Sequence, residues 1–167
     1  ALAGLGLASA AGLNAYIPAL LTALLARFTG LVMLPKEFEF LSSGWVLATL
    51  TVLLIVEEVV DKIPGADHVN DIVQSFVRPA SGAVLFAAGS EQVFGDNTWL
   101  ALLVGLVVAL TVHSTKAVSR GAVNLTTAGV GAPVASVVED VISLTTTIIA
   151  IVAPILILGF MAAFGWA

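Results

Sequence analysis

The chain has 167 residues, of which 59% are apolar and 10% charged, and its mean hydropathy is +1.10. Six Lys plus Arg with eleven Asp plus Glu cannot clothe a water-soluble domain, in which roughly 25% of residues are charged, so the composition is that of a multi-pass membrane protein. The apolar content excludes disorder, an acidic balance (pI near 4.7) without a basic run excludes nucleic-acid binding, and the lack of cysteine excludes disulfides, thiolate catalysis and thiolate metal sites.

A membrane-crossing helix needs roughly 20 largely apolar residues. Leu2 to Phe28 is the first such stretch, charged only at Arg27. It is too long for a signal-peptide core, and no basic segment precedes it. Asn14 and Pro18 predict a break within it, because irregular backbone is tolerated at membrane depth only where protein or water surrounds it. The second span is expected from about Ser42 to Lys62, opening at the interfacial anchor Trp45. Ile63-Pro64-Gly65-Ala66-Asp67-His68 reads as a turn. Val69 to Arg78 reads as a short amphipathic piece, and Pro79 to Phe94 as a short third span rich in Gly, Ala and Ser. Trp99 to Lys116 is the fourth span. Gly121 to Pro133 reads as a loop or broken element. Pro133 to Trp166 is a last helix, too long for the membrane unless it tilts or bends, and Pro154 is the place for a bend. The expected fold is all-α, a single integral membrane domain over 1–167 with about five spans and broken or re-entrant elements.

Lys62, Arg78, Lys116 and Arg120 outnumber Arg27 and Lys36 on the other side, which places the N-terminus inside and the C-terminus outside. A shift of 54 residues superposes Trp45 on Trp99, Lys62 on Lys116, Asn70 on Asn124 and Pro79 on Pro133. Parallel repeat units at 41–94 and 95–148 are one reading, an arrangement known in transporters. Shared interfacial conventions of Trp and Lys are the other.

Four runs carry a family likeness: Ala-Gly-Leu-Asn-Ala-Tyr-Ile-Pro at 11–18, Val-Asp-Lys-Ile-Pro-Gly-Ala-Asp-His-Val-Asn-Asp at 60–71, Phe-Val-Arg-Pro-Ala at 76–80, and Val-Gly-Ala-Pro-Val-Ala-Ser-Val-Val-Glu-Asp at 130–140. Over nearly its whole length the chain resembles the bacterial membrane family catalogued as domain of unknown function 4126. The resemblance implies a small bacterial inner-membrane protein of four to five spans and brings no activity with it, so function rests on the residues.

An intramembrane carboxylate is costly and faces the bundle or a water-filled cavity. Glu57 and Asp61 share a helix face, and two readings stay open: a functional site, or partners for Arg78 or Arg120. Glu58 lies four residues before Lys62, a favourable ion-pair spacing. His113 falls at a depth similar to Glu58, and Glu139 and Asp140 enter the last helix from the same side. Glu57, Asp61, His113, Glu139 and Asp140 are therefore the candidate transport or ion-binding residues. Ser136, Asp140, Ser143 and Thr147 are spaced 4, 3 and 4, a stripe that lines a polar path or packs against a neighbouring helix. Asn14 marks the helix break, with an interhelical hydrogen bond as its expected role. Asp67, His68, Asn70 and Asp71 follow the Pro-Gly turn; a divalent cation is one reading, and a helix N-cap at Asp67 or Asn70 is preferred.

The expected function is a small transporter or channel for a proton, a cation or a small solute. The alternative is a non-catalytic accessory or assembly subunit of a membrane complex. No enzyme activity and no cofactor are expected, since no activated nucleophile or phosphate loop is present. Beyond the lipid bilayer, the expected partner is a second copy through a Gly4, Ala8, Gly12 seam, or a membrane complex; neither nucleic acid nor nucleotide is expected.

Overall fold

The computed structural model describes all residues except 62–65, 129, 160, 161 and 163–167, and for 66–69 and 71 it describes the backbone alone. Among the described residues the chain is helical throughout and no strand occurs. In order, α1 is Leu2–Leu13, α2 is Tyr16–Phe28, a 3-10 segment covers Lys36–Ser42, α3 is Gly44–Val60, α4 is Ala66–Phe94, α5 is Thr98–Thr127 and α6 is Ala132–Val152. Three helices are long and apolar enough to cross a membrane: Ile72–Phe94 of α4, all of α5 and all of α6. A fourth crossing results if the 3-10 segment and α3, bent by 62°, count as one. The fold is all-α among the described residues, with three to four candidate membrane spans.

The first apolar stretch is broken where Asn14 predicted. Asn14 takes an extended conformation (φ −142, ψ 123), and α1 and α2 are each too short to span. α1 is the centre of the bundle and packs against α4, α5 and α6. Six of its last nine residues are Ala, Gly or Ser, and Gly4, Gly6 and the run Leu7 to Gly12 are buried. The close approach this permits is measurable at the glycines. A Cβ at Gly4 would lie 2.7 Å from the Phe86 carbonyl oxygen, and one at Gly12 would lie 2.6 Å from that of Ala109. The Gly4, Ala8, Gly12 seam is thus consumed inside the chain, packing α1 on α4 and α5, and gives no surface to a second copy.

Three boundaries differ from the sequence expectation. Val69 to Arg78 and Pro79 to Phe94 are not separate pieces, since α4 runs through Pro79 without interruption. Proline removes one backbone bond, and here tertiary packing of a long buried face holds the helix together. Asp67 and His68 accordingly lie in the first turn of α4 rather than in a turn before it; Pro64 and Gly65 lie outside the described residues. α5 continues eleven residues past Lys116 to Thr127, so most of the expected Gly121–Pro133 loop is helix. The break is confined to the residues between Thr127 and Ala132, where Ala128 adopts the left-handed conformation (φ 51, ψ 36). The last helix ends at Val152, two residues before Pro154, as the proline predicted. The 54-residue shift aligns the starts of α3 and α5, but Pro79 lies inside α4 while Pro133 opens α6.

Candidate functional site

The buried polar residues of the bundle gather where α3 ends, α4 begins and α6 starts, beside the second half of α5 and the α1–α2 break. α5 supplies its share through one stripe, Ala101, Gly105, Ala109, His113, Lys116 and Arg120, all buried and spaced by four or three residues. Small residues on the first three turns let α5 approach its neighbours. The same face then turns polar and places a histidine and two cations inside the protein.

Arg78 of α4 donates from Nη2 to Glu57 Oε1 of α3 at 3.0 Å, and the two side chains are 0% and 2% exposed. Its Nη1 lies 3.4 Å from His113 Nδ1. A guanidinium has only donors, so the lone pair of His113 faces it at Nδ1, and Nε2 lies 3.1 Å from Ser75 Oγ. Next to this group, Arg120 Nη2 donates to Asp61 Oδ2 at 3.2 Å and to Glu139 Oε2 at 2.8 Å. Lys116 Nζ meets the same Glu139 oxygen at 2.9 Å and donates to the carbonyl of Leu13 at 2.8 Å. Asn70 Nδ2 closes the far side on Asp61 Oδ1 at 2.7 Å. Three carboxylates and three cations thus alternate across four helices, which is how charges are retained away from water.

The helix break joins this ladder directly. Asn14 Oδ1 accepts from the backbone N–H groups of Tyr16 and Ile17 at 3.0 and 3.1 Å, satisfying donors at the start of α2. Its Nδ2 donates to Asp140 Oδ1 at 2.9 Å. Asp140 also faces the carboxyl group of Glu58.

Glu57, Asp61, His113, Glu139 and Asp140 therefore do converge. Asp61 pairs with Arg120 and Glu57 with Arg78, so both acids have the partner side chains that one of the two readings required. The Glu58–Lys62 pair cannot be followed, because Lys62 lies outside the described residues; Glu58 instead meets Asp140. Of the stripe on α6, Ser143 donates to the Ala10 carbonyl at 3.0 Å and Thr147 to its own helix at Ser143, and both are fully buried, as is Ser136. Ser143 sets the stripe against α1, as the contact alternative expects. Asn70 stands in the first turns of α4 as a partner of Asp61 rather than as a cap. The side chains of Asp67, His68 and Asp71 lie outside the described residues, and among the described residues no group of three acids or histidines is placed to hold a metal ion.

Sequence reasoning used Arg78, Lys116 and Arg120 to mark the inner side, and offered only Arg78 and Arg120 as partners for the acids. All three are buried: Lys116 and Arg120, 6% and 3% exposed, because α5 carries on past them, and Arg78 on the inner face of α4. The signal was present in the spacing of His113, Lys116 and Arg120 by 3 and 4, one face of a helix. Tyr16, Gln74 and Ser75 were also overlooked; Gln74 and Arg78 stand four residues apart on α4, and Gln74 is hydrogen-bonded to Tyr16.

No curated protein and no solved structure matches the chain. A family model does, over residues 1–167, and the chain belongs to the family described as Domain of unknown function (DUF4126).

Proposed function

We propose that this protein is a small transporter or channel of the bacterial inner membrane that moves protons or a proton-coupled cation through the charged ladder. The observation that carries the reading is the meeting of a buried ladder of alternating acids and bases with a discontinuous helix. Transporters place coupling sites at such breaks, where freed backbone groups and titratable side chains face one another. Here the Leu13 carbonyl, Asn14, Lys116, Glu139 and Asp140 occupy that position. Acids also stand at the other end of α4, where Glu37, Glu91 and Asp96 line a cavity of about 230 Å³, a surrounding that favours cations over anions.

The test is reconstitution of the purified protein in liposomes, with internal pH and entry of sodium and potassium followed under an imposed gradient. Glu57→Gln should abolish flux while the protein still inserts and elutes as a single species. A well-folded wild type that passes neither protons nor these cations would sink the transport reading.

The second reading is an accessory or assembly subunit without transport of its own. It is favoured by the fact that Arg78, Lys116 and Arg120 each already have a carboxylate partner within the chain. On that reading the ladder only locks four helices together. Mutating it would cost stability, and a membrane protein partner would co-purify with the intact chain.

A further inference from the structure

At the Glu57–Arg78 pair and the neighbouring Gln74, three side-chain atoms make no hydrogen bond with the protein: the acceptors Glu57 Oε2 and Gln74 Oε1, and the donor Arg78 Nε. They are 2%, 1% and 0% exposed, so bulk water does not serve them. Buried polar atoms in folded proteins are almost always paired with protein or ordered water. These three are neighbours. Gln74 and Arg78 stand one above the other on α4, and Glu57 holds Arg78 through its other carboxylate oxygen at 3.0 Å. Gln74 is fixed from the opposite side by Tyr16, and with Oε1 unpartnered it is the amide nitrogen that meets the tyrosine.

The chemistry of the three atoms selects what can bind. Two are acceptors and one is a donor. A metal cation offers Arg78 Nε no acceptor, and an anion without hydrogens offers Glu57 Oε2 and Gln74 Oε1 no donor. A neutral molecule offering two hydrogens and one lone pair completes all three, and buried waters typically make about three hydrogen bonds to such groups.

We infer that Glu57 Oε2, Gln74 Oε1 and Arg78 Nε together bind one water molecule, which delivers protons to Glu57. Its use in conduction rests on the transport reading above; its existence does not. The transfer is balanced: a hydronium at this point gives its proton to Glu57 Oε2, leaving a neutral water and a neutral carboxyl group. Arg78 then faces an uncharged partner and its ion pair is released, so arrival of a proton is felt by the ladder. The site lies behind Tyr16, which also forms part of the wall of an apolar groove of about 440 Å³ between α2, the 3-10 segment, α3 and α4. The substrate class this defines is a proton carried on water, to the exclusion of dehydrated metal cations and anions.

The full-length protein in liposomes tests this by infrared spectroscopy in ordinary water against water labelled with oxygen-18. A sharp O–H band of an internal water that shifts with the label is expected in wild type and should be lost in Gln74→Leu. Because that substitution also deprives Tyr16 of its partner and can disturb folding, Tyr16→Phe is the second variant. It keeps both acceptors and the ring, and it should move the band without removing it. No label-sensitive band in wild type, or a band identical in both variants, overturns the water site. Proton, sodium and potassium entry into the same liposomes is read separately. Proton entry alone is expected; a water band without proton flux would uphold the site and overturn the transport reading.

Discussion

Lys116 Nζ lies 2.8 Å from the carbonyl oxygen of Leu13, 103 residues away in sequence, and 2.9 Å from Glu139 Oε2. One cation therefore serves both the backbone acceptor freed where α1 stops and the carboxylate at the start of α6. The break and the ladder are one construction. A helix end in an apolar medium needs a partner for its last carbonyls, and a buried carboxylate needs a cation.

Lys116→Met should consequently cost more than loss of a surface charge. Removing one partner of a buried ion pair typically costs about 3–5 kcal/mol, and here Arg120 retains its hold on Glu139, which places the expected loss near the lower end. In a double-mutant cycle, Lys116→Met with Glu139→Gln should be less destabilising than the sum of the two. Thermal unfolding in detergent measures it. Strict additivity would mean that the contact carries no coupling.

Asn14 serves α2 through one atom and Asp140 through the other, so Asn14→Ala should destabilise by about 1–2 kcal/mol, the range for loss of a helix-start acceptor. Asn14→Asp is more informative. It keeps the acceptor for Tyr16 and Ile17 and sets a carboxyl group, in addition to that of Glu58, against Asp140. Two such groups at hydrogen-bond distance cannot both ionise, so the variant gains stability from holding a proton. That stability is present at low pH and lost as pH rises, and unfolding followed across pH should show this variant recovering toward wild type in acid. A pH-independent deficit would contradict the Asn14–Asp140 contact.

The bundle centre tests by overpacking. A Cβ at Gly105 would lie 2.5 Å from the carbonyl oxygen of Gly82 and 2.4 Å from the Phe86 Cβ, with backbone on one side that cannot swing away. Gly105→Ala should force α4 and α5 apart and cost about 1–3 kcal/mol. Gly121, with nothing near its Cβ position, is the control: Gly121→Ala should be neutral or mildly stabilising in its helix. Comparison of the two melting temperatures decides.

Much of this was legible in the chain before the structure. Composition fixes the class, Asn14 with Pro18 places the first break, and Pro154 places the last. What was not legible has physical causes. Pro79 has the local signature of a helix start, yet it lies mid-helix because packing of Gln74, Arg78 and Leu85 on one buried face outweighs one lost backbone bond. Gly121 and the threonines before Ala128 have weak helix propensity, yet the helix runs on through them, and the Thr126 and Thr127 hydroxyls donate to carbonyls one turn back in the same helix. The basic residues misled most. A cation near the end of an apolar run is ordinarily a marker of the cytoplasmic side, and only a count of the helix face (His113, Lys116, Arg120) distinguishes an inward charge from an interfacial one. The acids were easier to identify, because an acid inside an apolar run already has no other explanation.

Asp61 and Glu57 look alike in sequence, four residues apart, but the ladder treats them differently. Asp61 shares Arg120 with Glu139, and its second oxygen is held by the Asn70 amide. Glu57 is the one described carboxylate bonded to Arg78, a side chain that is fully buried. Asp61→Asn leaves Arg120 with a counter-charge and keeps an oxygen for Asn70. Glu57→Gln leaves a buried guanidinium with only neutral contacts. The second should therefore lower the unfolding temperature more than the first, with the penalty for uncompensated charge falling on Arg78. Combining Glu57→Gln with Arg78→Met should recover part of the loss, because an apolar chain of similar length needs no partner. Equal effects of the two single substitutions, or no recovery in the pair, would show that the two rungs are energetically equivalent and that Arg78 finds its compensation elsewhere.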